Sequence, residues 1–280
     1  MNKNVILVRG NITPTERWFP VEFHTYPGGE IRLGHIPNFG TSGVVDVGAI
    51  LRDANTIEAF FHVAEALKFR GNTIRLTIPY LPYARQDRAK AFLDGNEVLG
   101  LKLFANRVNA LQALSVKLFD PHSDVTRALF DRAIIIEREE CMNRSGVILT
   151  TKDVLIAPDA GALKATYQIA KKKSNQVLVA EKQRDMESGK ITGTSVHNAE
   201  QAHGKNVWIL DDLIDGGYTF IQIAQALKNQ GVIADTLNLY TTHGIYSKGL
   251  DDLMKNFNRV KALYSFDAGS EYEFTSGLFN

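Results

Sequence analysis

The chain of 280 residues is long enough for two domains, and it can bury a sizeable core without metal or disulfide crosslinks. Its 32 Lys and Arg residues balance 31 Asp and Glu residues, so the net charge of +1 provides no overall field that would recruit nucleic acid or an anionic membrane. The only cysteine, Cys141, excludes an internal disulfide and a four-cysteine zinc site, which suits a reducing compartment.

The N-terminal segment, MNKNVILVRGN, has a short apolar stretch that ends at Arg9, and it lacks the apolar core of a signal peptide. No run of about 20 apolar residues occurs elsewhere in the sequence. These features predict a soluble, cytoplasmic protein that binds neither membranes nor nucleic acid.

The first half of the chain alternates between helix and strand patterns. Asn55, three residues before Glu58, fits a capping box, and apolar residues then recur at helical spacing until Gly71. Two strands are predicted, with a helical segment at 96–114 between them: TIRLTIP (73–79) and VKLFD (116–120).

The second half repeats this alternation after a polar stretch, Glu137–Ser145. Its predicted helices are 162–173 and 220–231, and its predicted strands are DVLIAPD (153–159), QVLVAEK (176–182), NVWILDD (206–212) and TLNLYTTHG (236–244). Buried strands that alternate with helices are typical of a doubly wound, parallel α/β sheet. The chain is therefore predicted to hold two such domains, 1–140 and 141–280, with ligands bound where strands end.

The stretch VWILDDLIDGGYTF (207–220) carries the strongest chemical signal. Glycines in a strand-to-helix turn allow backbone N–H groups to converge, and the helix N-terminus adds partial positive charge, which together form a phosphate seat. The preceding aspartates would repel a phosphate, so they are better suited to accept hydrogen bonds from sugar hydroxyls or to act through magnesium. A capped helix preceded by solvated acids explains one aspartate and leaves the other two unexplained. The stretch therefore predicts a pentose phosphate site.

This stretch resembles the signature of type I phosphoribosyltransferases, and further segments narrow the resemblance to the ribose-phosphate pyrophosphokinase family. IPYLPYARQDRA (78–89) is similar to a Pro-Tyr-x-x-Tyr-Ala-Arg-Gln-Asp-Arg block of that family. The other similar segments are YPGGEIRL (26–33), FDPHSDVTRALF (119–130), IAPDAGALKAT (156–166), EKQRD (181–185) and YTTHGIYSKG (240–249). Because these matches keep their order over about residues 20–250, together they are more specific than any one of them.

The resemblance implies two domains of phosphoribosyltransferase-like fold and a reaction in which ATP transfers its pyrophosphoryl group to the C1 hydroxyl of ribose 5-phosphate. Such chemistry depends mainly on positioning and on charge neutralisation. Nucleotide-binding roles are implied for Arg85, Gln86, Asp87, Tyr26 and Glu30. The segment containing Tyr26 and Glu30 would complete the nucleotide site of a neighbouring subunit, which predicts a homo-oligomer, at least a dimer.

The resemblance also implies Mg²⁺ and a catalytic loop. His122 and Asp159 match the family's magnesium-associated pair; Asp159 is the better candidate ligand, because magnesium prefers oxygen and His122 can instead act on a phosphate. Lys182 and Arg184 match two catalytic cations, and the polar segment Met186–Gly193 is expected to close over ATP.

Within the pentose phosphate site, the resemblance assigns the ribose hydroxyls to Asp211 and Asp212. The 5-phosphate is assigned to the loop Asp215, Gly216, Gly217, Tyr218 and Thr219. The usual family loop reads Asp-Thr-Gly-Gly-Thr, so Gly216 lacks a hydroxyl, and the aromatic ring of Tyr218 replaces a glycine. That ring either lines an exit for a larger substituent on the phosphate or packs on the following helix. In the first domain, Gly28 stands where the family has an aspartate, which weakens the expectation of strict adenine specificity.

Four functions are consistent with these features. The first is synthesis of phosphoribosyl pyrophosphate and AMP, and the second is the same transfer to a larger ribose-5-phosphate compound such as ADP-ribose. A phosphoribosyltransferase would not need Arg85 and Gln86. A non-catalytic regulator of the synthetase would not need His122, Asp159, Lys182 and Arg184, all of which are present.

Overall fold

A computed structural model describes residues 5–10, 18–89, 98–184 and 191–266, with the side chains of 182–184 and 191–192 left undescribed. The described residues fall into two compact units, divided between Ile136 and Glu137. No helix within these ranges is long and apolar enough to cross a membrane.

The described part of the first unit contains one sheet of seven strands in the order β3-β2-β1-β4-β5-β6-β7. Strands β4 to β7 run parallel, whereas β1, β2 and β3 form antiparallel pairs at one side. The strands are β1 (Val5–Gly10), β2 (Phe19–Thr25), β3 (Ile31–Leu33), β4 (Val44–Gly48), β5 (Thr73–Ile78), β6 (Val116–Phe119) and β7 (Ala133–Ile136). The helices are α1 (Ala54–Phe69), α2 (Gly100–Ala110) and α3 (Val125–Leu129).

The predicted start of α1 is wrong by two residues. Asp53, not Asn55, is the N-cap: its Oδ1 accepts hydrogen bonds from the backbone N–H of Thr56 at 2.8 Å and from the Thr56 hydroxyl at 3.0 Å. Asn55 lies inside the first turn. Both residues favour N-caps, and the local pattern could not decide between them because a cap also requires the extended backbone that only Asp53 adopts here.

The second unit contains, among its described residues, a sheet of six strands in the order β10-β9-β8-β11-β12-β13. Only β10 is antiparallel to its neighbour. The strands are β8 (Val154–Ala157), β9 (Gln176–Arg184), β10 (Ile191–Val196), β11 (Asn206–Ile214), β12 (Thr236–Gly244) and β13 (Arg259–Ser265). The helices are α4 (Arg138–Arg144), α5 (Ala160–Lys173), α6 (Tyr218–Asn229) and α7 (Asp251–Asn256), with a 3-10 turn at Ala199–Ala202.

The predicted α/β class with parallel sheets is confirmed, and the antiparallel edge strands are an addition to it. The central strands β8 and β11 bury nearly every side chain, because helices and loops cover both faces of a parallel sheet. The polar stretch Glu137–Ser145 contains α4, which packs on β12 and β13 and buries Cys141 and Met142. The segment is mostly charged, but its apolar residues lie on one face of the helix and are buried.

Candidate functional site

The strand order places a ligand site at one edge of the second sheet. The chain runs from β8 to β9 on one side and then returns to β11 on the other, so β8 and β11 are neighbours at which the winding direction reverses. Ligands of open α/β sheets bind beyond the carboxyl ends of the strands at such a point. Asp159 follows β8, and Asp211 to Asp215 lie at the carboxyl end of β11. The sequence-predicted acids of this unit are thus brought to one edge.

Asp211 and Asp212 form a buried acidic pair within β11, and their side chains are 17% and 11% exposed. The guanidinium of Arg138 spans both carboxylates, with Nη1 at 3.9 Å from Asp211 Oδ1 and Nη2 at 3.9 Å from Asp212 Oδ1. Burial raises the pKa of Asp211 well above its ordinary value, the charge of Asp212 raises it further, and Arg138 acts in the opposite direction. Two acceptor groups are therefore held close together with one compensating cation.

The predicted phosphate loop, residues 215–219, follows the acidic pair directly. Gly217 is the N-cap of α6 and has a φ of 80°, a left-handed conformation that glycine adopts without strain. A Cβ at this position would lie 2.9 Å from Leu253 Cδ2, so the turn also packs too tightly for a side chain. The first N–H groups of a helix lack intrahelical acceptors, and those of α6 begin at this turn. The geometry suits a bound phosphate.

Tyr218 is the first residue of α6, and it is 69% exposed. This exposure does not favour the alternative that its ring packs on the following helix. Thr219 is half-buried in the same turn. Tyr218 is therefore largely exposed in the first turn of α6.

The loop after β12 supports the phosphate loop. Ser247 donates hydrogen bonds to Asp215 through both its hydroxyl and its backbone N–H. A Cβ at Gly216 would lie 3.3 Å from Lys248 Cγ, so the absence of a side chain at 216 makes room for the Lys248 stem. Both supporting residues lie in the segment YTTHGIYSKG, but sequence reasoning gave neither a role, because Ser247 and Asp215 are 32 residues apart in the chain.

Asp159 is the N-cap of α5, and its Oδ1 accepts hydrogen bonds from the N–H groups of Gly161 and Ala162 at 2.9 and 3.1 Å. His122 lies in the other unit, between β6 and α3. Within the described ranges, no group of three or more His, Cys, Asp or Glu side chains is arranged to hold a metal ion. A magnesium ion held by few protein ligands depends on substrate phosphates for its other contacts.

Lys182 and Arg184 lie in β9, opposite Thr194 and Ile191 of β10. Their side chains are not described. Of the predicted mobile segment, residues 191–193 belong to β10, whereas 186–190 lie outside the described residues.

The first unit contains the predicted nucleotide-binding residues. Arg85, Gln86 and Asp87 lie in the turn after β5, where the backbone N–H of Leu101 donates to the Gln86 carbonyl at 3.2 Å. The side-chain oxygen of Gln86 occupies space that only a glycine at position 100 leaves open. The turn that contains Arg85, Gln86 and Asp87 thus packs against the start of α2.

Tyr26 and Glu30 close the hairpin between β2 and β3 through a 2.8 Å hydrogen bond from the Tyr26 N–H to the Glu30 carbonyl. Tyr26 is half exposed. A Cβ at Gly28 would lie 2.6 Å from Glu30 Oε2, so the Glu30 carboxylate fills the space next to the glycine. A carboxylate is therefore present at this tip although position 28 lacks one.

Arg138 is the site residue that sequence reasoning missed. It occurs in the stretch IEREE, whose charges are typical of a solvated surface, yet it is only 6% exposed. No pattern in the sequence indicates its contact with residues more than 70 positions later.

The fold and the site define the class of protein. A family model described as "Phosphoribosyl transferase domain" matches residues 134–255, which include α5, β11 and α6. The crystal structure of phosphoribosylpyrophosphate synthetase from Mycobacterium smegmatis superposes with a TM-score of 0.70 at 19% identity, covering 85% of this chain and 77% of that one. The chain has the type I phosphoribosyltransferase fold.

Sequence comparison narrows the class. The ribose-phosphate pyrophosphokinase of Thermotoga maritima is 27% identical over 76% of this chain and 66% of its own length. That of Sulfolobus acidocaldarius is 27% identical over 83% of this chain and 80% of its own length. The chain is thus similar in sequence to ribose-phosphate pyrophosphokinases, as the motifs predicted, and its match spans about two thirds of the T. maritima relative.

Proposed function

We propose that the protein transfers the pyrophosphoryl group of ATP to the C1 hydroxyl of ribose 5-phosphate and forms phosphoribosyl pyrophosphate and AMP. One observation carries this proposal: the Asp211–Asp212 pair and the glycine turn at the start of α6 follow one another at the switch point of the second sheet. A pair of acceptors beside a phosphate seat fits a sugar that carries vicinal hydroxyls and a phosphate.

In the proposed complex, Asp211 and Asp212 accept hydrogen bonds from the ribose hydroxyls, and backbone N–H groups of the 215–219 loop donate to the 5-phosphate. The C1 oxygen attacks the β-phosphorus of ATP, the bond between that phosphorus and the oxygen bridging to the α-phosphorus breaks, and AMP leaves. The C1 hydroxyl gives up its proton. Holding the sugar at both ends removes most of the orientational freedom that opposes this step.

The remaining roles follow the family motifs. Arg85, Gln86 and Asp87 bind the nucleotide, since an arginine fork suits polyphosphate and an amide suits a base edge. Lys182 and Arg184 neutralise charge on the transferring phosphates.

Mg²⁺ is part of the proposal as the ion that neutralises the ATP phosphates. Asp159 is proposed as its protein ligand, and His122 is proposed to act on a phosphate. Both hydrogen bonds of the α5 cap use Oδ1 of Asp159, and one or two carboxylates with substrate phosphates are a usual magnesium environment. The protein is therefore proposed to bind Mg²⁺ together with ATP, whose phosphates provide further ligands.

The test is AMP formation from ATP with ribose 5-phosphate or ADP-ribose as acceptor, with the product identified by phosphorus-31 NMR. We expect strong turnover with ribose 5-phosphate. Turnover of ADP-ribose alone would support the larger acceptor that the exposed Tyr218 ring could contact. Use of phosphoribosyl pyrophosphate with a free base would instead indicate a phosphoribosyltransferase, and no conversion by a folded, magnesium-supplied protein would indicate a regulator.

A shared nucleotide site is the proposed reason for oligomerisation, with the Tyr26–Glu30 hairpin completing the site of a neighbour. Mixing a Tyr26→Ala protein with a Lys182→Ala protein tests it, because some mixed assemblies then contain one intact site. Recovery of activity is expected on mixing two inactive variants. A fully active monomer contradicts the shared site.

A further inference from the structure

Arg138 is a buried cation whose charge requires compensating partners. It begins α4, its side chain is 7% exposed, and its two terminal nitrogens face different carboxylates. A buried charge is stable only when oppositely charged or hydrogen-bonding groups compensate it. The Asp211–Asp212 pair in turn requires a cation, since two adjacent carboxylates repel one another.

We propose that Arg138 is a positioning residue for the acceptor site: its guanidinium spans Asp211 and Asp212 and fixes their oxygens for the vicinal hydroxyls of the sugar. This inference rests on the proposed function, because it assigns the pair to ribose. It adds a residue from the segment that connects the two units, outside every motif of the site.

The charge of Arg138 affects how many hydrogen bonds the Asp211–Asp212 pair can accept. Burial and the charge of Asp212 raise the pKa of Asp211 even with the cation in place, and Arg138 lowers it, so removing Arg138 would further favour a proton on this carboxyl. A protonated carboxyl is a donor at one oxygen, so the pair loses acceptor capacity for a diol. With Arg138 in place, two acids and one base leave a net single negative charge.

The packing of α4 holds the guanidinium at this position. Helix α4 packs on β12 and β13, and Cys141 and Met142 anchor its buried face. The Asp212 N–H donates a 2.9 Å hydrogen bond to Asp211 Oδ1. This bond restricts the rotation of the Asp211 carboxylate in addition to Arg138. Arg138 and the strand thus organise the acceptors before the sugar binds.

The test compares Arg138→Met with Arg138→Lys in the full chain, by steady-state kinetics and by calorimetry with ribose 5-phosphate. Arg138→Met should raise the KM for ribose 5-phosphate, and weaken its binding, about tenfold or more, while the KM for ATP changes less than about twofold. Arg138→Lys should recover part of this loss because it restores the charge without the planar fork. Arg144→Met is the matched control: Arg144 lies on the same helix but pairs with Glu140 at 2.9 Å. It should leave both KM values unchanged.

An unchanged KM for ribose 5-phosphate in Arg138→Met, or an equal rise in Arg144→Met, overturns the inference. If Arg138→Met is too unstable for kinetics, the double variant with Asp212→Asn removes one acid as well and should recover melting temperature, since the cluster returns to a single negative charge. A double variant less stable than the single one also overturns it. Because this thermal readout needs no turnover, it stays informative if the wild-type protein fails to use ribose 5-phosphate, which is the separate failure of the proposed function.

Discussion

Ser247 Oγ donates a 2.6 Å hydrogen bond to Oδ1 of Asp215, and this contact fixes the loop that begins the phosphate seat. The Ser247 N–H also donates to the Asp215 carbonyl at 3.2 Å. The loop after β12 therefore supports the turn between β11 and α6 through a side chain and a backbone group.

Ser247→Ala removes the hydroxyl bond and retains the backbone one. We expect a rise of about tenfold in the KM for ribose 5-phosphate, since a hydrogen bond to a charged group contributes about 1.5 kcal/mol, with little change in the KM for ATP. Ser145→Ala is the control, because Ser145 donates to the Met142 carbonyl at the end of α4. Equal effects of both substitutions would contradict a role for Ser247 in the phosphate loop.

Gly217→Ala should destabilise the second unit by about 1–3 kcal/mol, because a non-glycine residue is strained at positive φ. A Cβ at Gly217 also meets Leu253, whereas Gly231, at a φ of 75°, has no atom within 4 Å of its Cβ position. Gly231→Ala therefore reports the backbone strain alone. Denaturant unfolding should show the larger loss for Gly217, and calorimetry should show weaker ribose 5-phosphate binding only for Gly217. The same loss at both positions would show that the Leu253 contact does not matter.

Asp211→Asn should stabilise the protein and weaken sugar binding. A raised pKa means that the folded state holds its proton more tightly, so folding is most favourable below the ordinary pKa of 3.8 and loses stability as pH rises through the raised value. Asparagine avoids that loss and can still accept from the Asp212 N–H.

The melting temperature of Asp211→Asn should exceed that of wild type by about 2–4 °C at neutral pH, equivalent to about 1 kcal/mol, and the difference should vanish below about pH 3.8. The affinity for ribose 5-phosphate should fall about tenfold. Asp153 provides a contrast, since it is buried but accepts bonds from Thr150 and Asn206. Asp153→Asn should lower the melting temperature. A lower value for Asp211→Asn as well would show that Arg138 outweighs burial and repulsion.

Asp159→Asn separates a metal role from a capping role. Asparagine caps helices about as well as aspartate, so the melting temperature should change by less than about 2 °C, while the Mg²⁺ concentration for half-maximal activity should rise at least about tenfold. Asp53→Asn makes the same change at the cap of α1 and should affect neither quantity. An unchanged Mg²⁺ requirement in Asp159→Asn removes Asp159 from the proposed metal site.

Lys182→Ala should lower kcat by about 10²- to 10³-fold with little change in stability, because this cation is proposed to act on the transferring phosphates. Lys205→Ala removes an exposed lysine before β11 and should be neutral. Retained activity together with a large fall in melting temperature would show that the catalytic assignment of Lys182 is wrong.

The sequence by itself determined the α/β class, the course of most strands and helices, and the stretch that carries the Asp211–Asp212 pair and the glycine turn. These features depend on hydrophobic periodicity and on turn chemistry, which act between residues close in the chain. The small error at Asn55 has the same origin, because two good caps stood two positions apart.

Only the tertiary structure decided which strands are neighbours, and hence that Asp159 and the β11 acids share one edge. It also buried Arg138 against the acidic pair, raised the pKa of Asp211, joined Ser247 to Asp215, and left Tyr218 largely exposed. All of these features have the same physical cause. Burial and charge pairing depend on segments that lie far apart in the chain and meet only when the sheet forms, so no local pattern encodes them.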